Sequence, residues 1–258
     1  MAGRSEKLLW QLYARVYDSI LLRFWPYRRL MSLVADAVDP APGWRILDAG
    51  CGTGNLLVHL ARTRPDARVT GVDFAPAMLR RAGKKVRGLS GVTLREADLN
   101  RPLPFADGEF DAVVCVNTLY AVDKPALLLG ELHRVLKRNG RFVLVNPSRR
   151  PQMRHIFIEH VRALRCGYPG LWPVLLAGQV LRTLPQLLVF VMINGYIQGQ
   201  QPFHFFTGEE LKKVLSRAGF GVTRAEKVYG GQCWLKVGTK TLHGFVAERQ
   251  GGRRADLA

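Results

Sequence analysis

The sequence predicts an α/β fold in which a seven-stranded, mostly parallel sheet has helices on both faces. Strand and helix patterns alternate from about residue 41 onward, and such alternation is typical of parallel sheets covered by helices. One strand pattern runs directly into a glycine-rich stretch that a helical pattern follows. The 258 residues are 48% apolar, which suits a substantial buried core. Together these observations favour a large ordered domain over a disordered chain.

Seven segments have the apolar and β-branched composition of strands, and helical stretches such as 125–137 separate them. In chain order they are 45–48, 69–72, 92–95, 112–116, 141–145, 221–228 and 233–238. The Asn139-Gly140 pair predicts the end of the helix before the fifth strand. A capping box at Thr207 to Glu210 predicts a further helix that ends near Gly219.

The chain is expected to divide into five parts. An N-terminal helical segment, with Pro26 interrupting two helices, is expected to cover the functional site. An alternating core follows it, then a helical cap inserted after the fifth strand, then a last helix with the closing strands, then a flexible tail. These parts are 1–40, 41–146, 147–203, 204–249 and 250–258.

Charge and cysteine content limit the classes of function. The formal net charge is +18, so nucleic acid, anionic lipid or an acidic partner deserves consideration, although basic residues spread over the whole chain also fit an ordinary solvated surface. The four cysteines lie far apart, and no metal site is expected from their spacing. Residues 1–10 lack the apolar run of a signal peptide, which predicts a cytoplasmic protein.

The strongest local signal is Asp48-Ala49-Gly50-Cys51-Gly52-Thr53-Gly54, between a strand and a helix. A dinucleotide fingerprint would need its third glycine at position 55, where the chain has Asn55, and this argues against an NAD oxidoreductase. Glycines with this spacing let the backbone approach a ligand that lacks a pyrophosphate. An acidic residue at the end of the strand can meet a positively charged group.

Further acidic residues follow the next two strands. Asp73 ends the second strand, where its carboxylate can hold a ribose diol through two hydrogen bonds. Asp98 follows the third strand and precedes Leu103-Pro104-Phe105, and Phe110-Asp111 opens the fourth. In this order the motifs resemble those of class I S-adenosylmethionine-dependent methyltransferases. They are most similar to the ubiquinone/menaquinone C-methyltransferase-like (methyltransferase type 11) group, over 45–146 and, more weakly, 205–220.

The resemblance implies a Rossmann-like fold, S-adenosylmethionine as cofactor and a set of residues that bind it. These residues are Asp48, Ala49, Gly50, Cys51, Gly52, Gly54, Asp73, Phe74, Met78, Asp98, Leu99 and Asn117. The glycines would shape the loop under the methionine part and Asp48 would orient its amino group. Asp73 would hold the ribose, and Asp98 with Leu99 the adenine. Phe74 and Met78 would flank the adenosine, although Met78 also fits ordinary helix core. Cys51 is expected to pack rather than to react.

Methyl transfer from a sulfonium is an in-line displacement, so the protein must mainly align the reactants and exclude water. A base is needed only where the acceptor must lose a proton. The candidates are His204, Tyr120 and Tyr17, with His155 and His160 as further histidines near the cap. Each of the histidines also fits a purely structural role.

The acceptor is expected to be small and hydrophobic or lipid-like: a quinone precursor, an isoprenoid or a lipid headgroup. Residues 171–197 are unusually apolar, but Arg182 and Pro185 interrupt them, so a kinked or amphipathic cap is favoured over a membrane span. Arginines precede this segment, and peripheral membrane contact through 149–197 would suit such an acceptor. A buried cap or a homo-oligomer interface is the alternative. The arginines are Arg149, Arg150, Arg154, Arg162 and Arg165.

Two other functions stay open. A nucleic-acid (RNA) methyltransferase would explain the charge, but Asn117-Thr118-Leu119-Tyr120 does not resemble the Asn-Pro-Pro-aromatic motif of amino-methylating enzymes. A non-catalytic S-adenosylmethionine-binding protein would keep the fold alone. The acceptor atom, whether carbon, nitrogen or oxygen, is not decided by the sequence, since one fold serves many substrates.

Overall fold

The computed structural model describes residues 14, 18–148, 152–200 and 203–241. Seven strands of these residues form one sheet: β1 Arg45–Ala49, β2 Arg68–Asp73, β3 Val92–Glu96, β4 Phe110–Val116, β5 Leu136–Pro147, β6 Phe220–Val228 and β7 Cys233–Lys240. Their order is β3-β2-β1-β4-β5-β7-β6. The first five pair in parallel, while β7 runs antiparallel to both β5 and β6. The predicted seven-stranded, mostly parallel sheet is confirmed.

The helices are α1 Trp25–Val38, α2 Asn55–Thr63, α3 Pro76–Val86, α4 Pro125–Val135, α5 Met153–Gly167, α6 Trp172–Gln200 and α7 Gly208–Arg217. Pro26 lies in the first turn of α1, where the missing N–H costs no hydrogen bond, so it starts this helix. The capping box that opens α7 is confirmed: Thr207 Oγ1 accepts from the Glu210 N–H, and the Glu210 carboxylate accepts from the Thr207 N–H.

The central strands are buried on both faces, as expected for a parallel sheet. On one face Ile46 and Val114 belong to a core cluster that includes residues of α1 and α2. On the other face Leu47 and Val113 belong to a second cluster with residues of α4 and α7. This packing brings the carboxyl ends of β1, β2 and β4 to one edge of the sheet. The predicted helices on both faces are confirmed.

The expected end of α4 at Asn139-Gly140 is wrong. The helix ends at Val135, and β5 already begins at Leu136, which is fully buried and pairs with Phe110. The next pair joins Arg141 to Ala112, so residues 137–140 bulge out of the ladder. Asn139 takes a positive φ of 57°, a conformation that asparagine tolerates. The burial of Leu136 therefore outweighs the turn signal of the Asn-Gly pair.

Two helices follow β5, as predicted for the cap: α5 packs against α1, and α6 packs against α5. Pro185 lies inside α6. Several predictions fall on Tyr17, Arg149, Arg150 and 250–258, which lie outside the described residues, as do 1–13 and 15–16 of the N-terminal segment. Within the described parts of the chain, every helix is too short or too polar to cross a membrane.

Candidate cofactor and acceptor site

The glycine loop joins β1 to α2 and is tied to the neighbouring strand β2. The backbone N–H groups of Gly50 and Cys51 both donate to the carbonyl of Val72, at 2.8 and 2.9 Å. Ala49, the last residue of β1, is completely buried. Cys51 is buried as well, and burial raises the pKa of its thiol well above the usual range. Cys51 therefore packs, in agreement with its expected role.

The backbone angle φ is positive at all three loop glycines, but the space available for a side chain differs among them. A Cβ on Gly50 would lie 2.3 Å from Thr118 Oγ1, and one on Gly54 would lie 2.9 Å from Ala82 Cβ. A Cβ on Gly52 would meet nothing within 4 Å. Gly50 and Gly54 are thus required by close packing, whereas Gly52 borders open space, which a cofactor lying on the loop needs.

Asp73 connects the end of β2 to this loop. Its Oδ2 accepts from the Gly52 N–H and its Oδ1 from the Ala75 N–H, both at 2.9 Å. Burial raises the pKa of Asp73, and these backbone donors partly offset the effect. A carboxylate offers about four acceptor positions, so Asp73 retains capacity for a ribose diol. The predicted ribose contact fits this arrangement and stays a prediction.

Asp48 lies beneath the loop and is 2% exposed. Burial, reinforced by the nearby charge of Asp73, raises the pKa of Asp48 to about 7. A positively charged group bound above the loop would favour the ionised form of Asp48. The site can therefore compensate the cation of a ligand such as S-adenosylmethionine.

The residues expected around the adenosine lie at the ends of β2 and β3. Met78 is buried in a small cluster with Ala14 and Ala75, and Phe74 packs against that cluster while it stays half-buried. Asp98 Oδ1 accepts from the Asn100 N–H, and the Asp98 side chain is 38% exposed. Leu99 is buried in a core cluster. Met78 is thus buried, whereas Phe74 and the outer edge of Asp98 are accessible, and the contacts of these residues with an adenosine stay predictions.

Asn117 and Thr118 follow β4 and lie beside the loop. Asn117 has a positive φ of 49°, and its Oδ1 accepts a long contact of 3.6 Å from the thiol of Cys233. Thr118 touches Gly50 and was missed by the sequence reasoning. Its position directly after a buried strand, next to Asn117, was the signal that could have revealed it.

A polar network fastens the N-terminal segment to the glycine loop, and no sequence pattern indicated it. Asp18 accepts from Thr53 Oγ1 at 2.6 Å and forms an ion pair with Lys85 at 2.7 Å. Asn55 donates to Asp18 and to the Tyr27 hydroxyl, and accepts from Lys85. Burial lowers the pKa of Lys85, and Asp18 opposes that change. Asn55, which departs from the dinucleotide fingerprint, thereby links α2 to the N-terminal segment, to α1 and to α3.

Two of the predicted catalytic residues lie together at the edge of the site. The backbone N–H of His204 donates to the Tyr120 carbonyl at 2.8 Å, and the Tyr120 ring packs against Phe203 and Phe205. Burial raises the pKa of Tyr120 to about 12, so its hydroxyl keeps its proton at neutral pH. His204 Nε2 is buried and has no partner among the described residues.

The cap histidines differ in role. His160 is 2% exposed, accepts from the Trp25 N–H through Nδ1 and contacts Gln179 Oε1 through Nε2 at 2.7 Å. Both ring nitrogens are engaged, and burial lowers the pKa of His160, so it is a structural residue that links α1, α5 and α6. His155 packs against the turn at Gly230, and its Nδ1 is buried with no partner in the described chain.

Glu159 and Tyr229 lie near Tyr120 at the same edge of the site, and the sequence reasoning overlooked both. Tyr229 precedes Gly230, and burial raises its pKa, an effect to which the nearby Cys233 and Glu159 add. Glu159 Oε2 is buried without a partner among the residues that the structure describes. Burial raises the pKa of Glu159. The Gly230-Gly231 turn between β6 and β7 was the sequence signal that could have drawn attention to Tyr229.

No three metal-binding side chains come together within the described ranges. The described site thus consists of a glycine loop with buried carboxylates on one side and an aromatic wall on the other. The aromatic wall is formed by Tyr120, Phe203, Phe205 and Tyr229. This arrangement can hold an adenosine-containing cation against an apolar acceptor.

Known proteins share these features. Residues 40–219 match the family described as "Methyltransferase domain". The ubiquinone/menaquinone biosynthesis C-methyltransferase UbiE of Desulfotalea psychrophila is 30% identical over 237 residues, which cover 88% of this chain and 89% of that protein. A demethylmenaquinone methyltransferase of Symbiobacterium thermophilum is 31% identical over 207 residues, covering 79% of this chain and 78% of that protein.

Solved structures agree at the level of the fold. A SAM-dependent methyltransferase from Aquifex aeolicus superposes with a TM-score of 0.58 at 19% identity, covering 89% of this chain and 98% of its own. The geranyl diphosphate C-methyltransferase of Streptomyces coelicolor, in complex with S-adenosyl-L-homocysteine, gives 0.59 at 18% identity over 83% and 79%. The chain therefore belongs to the methyltransferase family and is a Rossmann-like, S-adenosylmethionine-dependent methyltransferase.

Proposed function

We propose that this methyltransferase methylates a small hydrophobic acceptor, with a ring carbon of a quinone precursor as the first candidate. The observation that carries the proposal is the aromatic wall beside the glycine loop, where Tyr120, Phe203 and Phe205 pack against one another. Flat rings of this kind bind another flat, apolar ring well. The names of the relatives, which include quinone-biosynthesis and geranyl diphosphate C-methyltransferases, support the same class of acceptor. An isoprenoid and a lipid headgroup amine are the other candidate acceptors.

When bound, S-adenosylmethionine supplies an electrophilic methyl group for in-line displacement. The loop glycines with Asp48 and Asp73 would hold its methionine and ribose parts, and Asp98 its adenine. Asn117 and Thr118, after β4, would lie between cofactor and acceptor. The protein contributes mainly alignment and the exclusion of water, and alignment alone can supply about 7–11 kcal/mol of a barrier.

Methylation of a quinol carbon also requires that a proton leave the acceptor. Tyr120 keeps its proton at neutral pH because its pKa is raised to about 12, so it donates a hydrogen bond to the acceptor rather than acting as a base. Glu159 Oε2 and His204 Nε2 are both buried and without partners among the described residues, and each can accept a proton. We assign that role to one of these two.

Transfer of a labelled methyl group from S-adenosylmethionine tests the acceptor class. The panel holds a demethylmenaquinol with a short side chain, a simple phenol, phosphatidylethanolamine and bulk transfer RNA. We expect label on the quinol, with fragmentation by mass spectrometry placing it on a ring carbon. Label on the RNA alone would overturn the proposal in favour of an RNA methyltransferase. Cofactor binding with no transfer to any member of the panel would favour a non-catalytic protein.

Glu159→Gln and His204→Asn distinguish the two proton acceptors. The variant that removes the base is expected to lower kcat by about 10²–10⁴-fold and to abolish the acidic limb of the pH–rate profile. The other variant should keep the limb.

Since quinone-type acceptors reside in bilayers, the proposal includes a cytoplasmic enzyme with peripheral membrane association.

A further inference from the structure

Helix α6 exposes an apolar stripe that is unusual for a surface helix. Over Trp172–Gln200 the sequence has one charged residue, Arg182. Leu181 and Met192 are each 75% exposed, Val174 is 71% exposed and Leu188 is 61% exposed. Steps of seven and four residues separate these positions, so they lie on one face of the helix. Apolar surface of this extent marks an interaction site.

The opposite side of α6 is fixed to the protein. Thr183 and Ile193 are buried, and Gln179 bonds to His160 on α5. The stripe therefore points away from the helix that α6 packs against. It continues at the turn between α5 and α6, where Tyr168 and Leu171 are 55% and 61% exposed.

The charges around the stripe favour an anionic partner. Arg154, Arg162 and Arg165 on α5 and Arg182 on α6 are all exposed. Glu159 is the one acidic residue in 152–200, and it is half-buried with a buried Oε2. A second copy of this chain would bring the same arginines, and a further net charge of +18, against the first.

We propose that α6 and the α5–α6 turn bind the surface of an anionic lipid bilayer. The apolar stripe enters the boundary of the acyl chains, and the exposed arginines contact the phosphates, as in other interfacial helices. The purpose of this contact rests on the proposed function, because α5 also carries Glu159 beside the expected acceptor. A bilayer on α6 thus lies close to α5, the helix that carries Glu159.

Sedimentation with vesicles of phosphatidylcholine, or of an equimolar mixture with phosphatidylglycerol, tests this surface. We expect the protein to bind the mixed vesicles and to bind phosphatidylcholine more weakly. Leu181→Ser/Leu188→Ser/Met192→Ser should lower binding to both by about tenfold or more. Arg154→Ser/Arg162→Ser/Arg165→Ser should lower binding to the mixed vesicles by about fivefold per arginine.

The matched control is Arg62→Ser/Arg80→Ser/Arg217→Ser, which removes the same charge from exposed positions on α2, α3 and α7. It should bind as the wild type does. Equal loss in this control, or no vesicle binding by the wild type, would overturn the proposal. A dimer in analytical ultracentrifugation that the triple serine variant of α6 dissolves, without vesicle binding, would also overturn it in favour of self-association.

Failure here and failure of the proposed function are distinguishable. The stripe variants should keep their thermal unfolding, their affinity for S-adenosylmethionine and their transfer to a short-chain, water-soluble acceptor. Loss of vesicle binding with those activities intact concerns the surface alone. Vesicle binding without transfer to any quinol would leave the surface in place and would contradict the proposed acceptor.

Discussion

The carboxylate of Asp73 accepts a hydrogen bond from the backbone N–H of Gly52, with 2.9 Å between Oδ2 and the nitrogen. This bond joins the end of β2 to the middle of the glycine loop. Of the three loop glycines, Gly52 is the one with open space beside its Cα. The shape of the loop and the predicted ribose site therefore depend on the same side chain. A change at either residue should affect cofactor binding more strongly than it affects the sheet.

Gly52→Ala should bind S-adenosylmethionine about tenfold or more weakly, because its methyl group would project into the space that the cofactor needs. The fold should lose only about 1–2 kcal/mol, the usual cost of a left-handed alanine. Gly43→Ala is the matched control, since Gly43 also has a positive φ of 79° with nothing within 4 Å of a Cβ. Calorimetry and denaturant unfolding check both. Equal affinities of the two variants would contradict the expected position of the cofactor.

Asp48→Asn should flatten the pH dependence of stability. The pKa of Asp48 is raised from 3.8 to about 7, so between these values the folded protein holds a proton that the unfolded chain releases. Stability thus falls as pH rises through this window, by at most about 1.4 kcal/mol per pH unit, and levels off above it. Urea unfolding at about pH 5 and about pH 8 measures the difference. The idea fails if Asp48→Asn keeps the wild-type slope.

Lys85→Met should destabilise the protein by about 2 kcal/mol, because it leaves Asp18 without its cation. The side chains of this pair are 25% and 13% exposed, so the cost should be below that of a fully buried pair. Lys84→Met, at the exposed neighbour, is the control and should be nearly neutral. Urea unfolding compares the two. Similar losses in both variants would mean that the pair contributes nothing specific.

His160→Leu should lower the free energy of unfolding by about 2 kcal/mol, since the Trp25 N–H and Gln179 both lose a partner. Its pH–rate profile should stay that of the wild type, because both ring nitrogens serve structure. Steady-state kinetics over pH, with urea unfolding alongside, provide the check. A lost acidic limb in His160→Leu would make this histidine the proton acceptor, against its geometry.

Most of the fold and the cofactor half of the site follow from local patterns. The alternation of elements, the glycine loop and the carboxylates after successive strands are features of short segments, and parallel pairing brings those strand ends to one edge. The bulge at 137–140 was missed because the burial of Leu136, a tertiary effect, overrode the local Asn139-Gly140 signal.

The other parts of the site depend on contacts between distant parts of the chain. Asn117 and Cys233 are 116 positions apart, and Thr53 and Asp18 are 35 apart. Neither pair has a spacing that periodicity could reveal. Glu159 and Tyr229 likewise meet only because α5 packs on the turn between β6 and β7. Such residues become visible once the topology is known.

Calorimetric titration with S-adenosylmethionine, on the wild type, Asp73→Ala and Glu96→Ala, tests the central claim most directly. Glu96 pairs in register with Asp73 at the end of β3 but is exposed, so its variant is the matched control. We predict micromolar binding by the wild type and by Glu96→Ala, and a loss of at least about tenfold in Asp73→Ala, with no binding of NADH by any of them. Undiminished binding by a folded Asp73→Ala, or binding of NADH in place of S-adenosylmethionine, would contradict this account of the site.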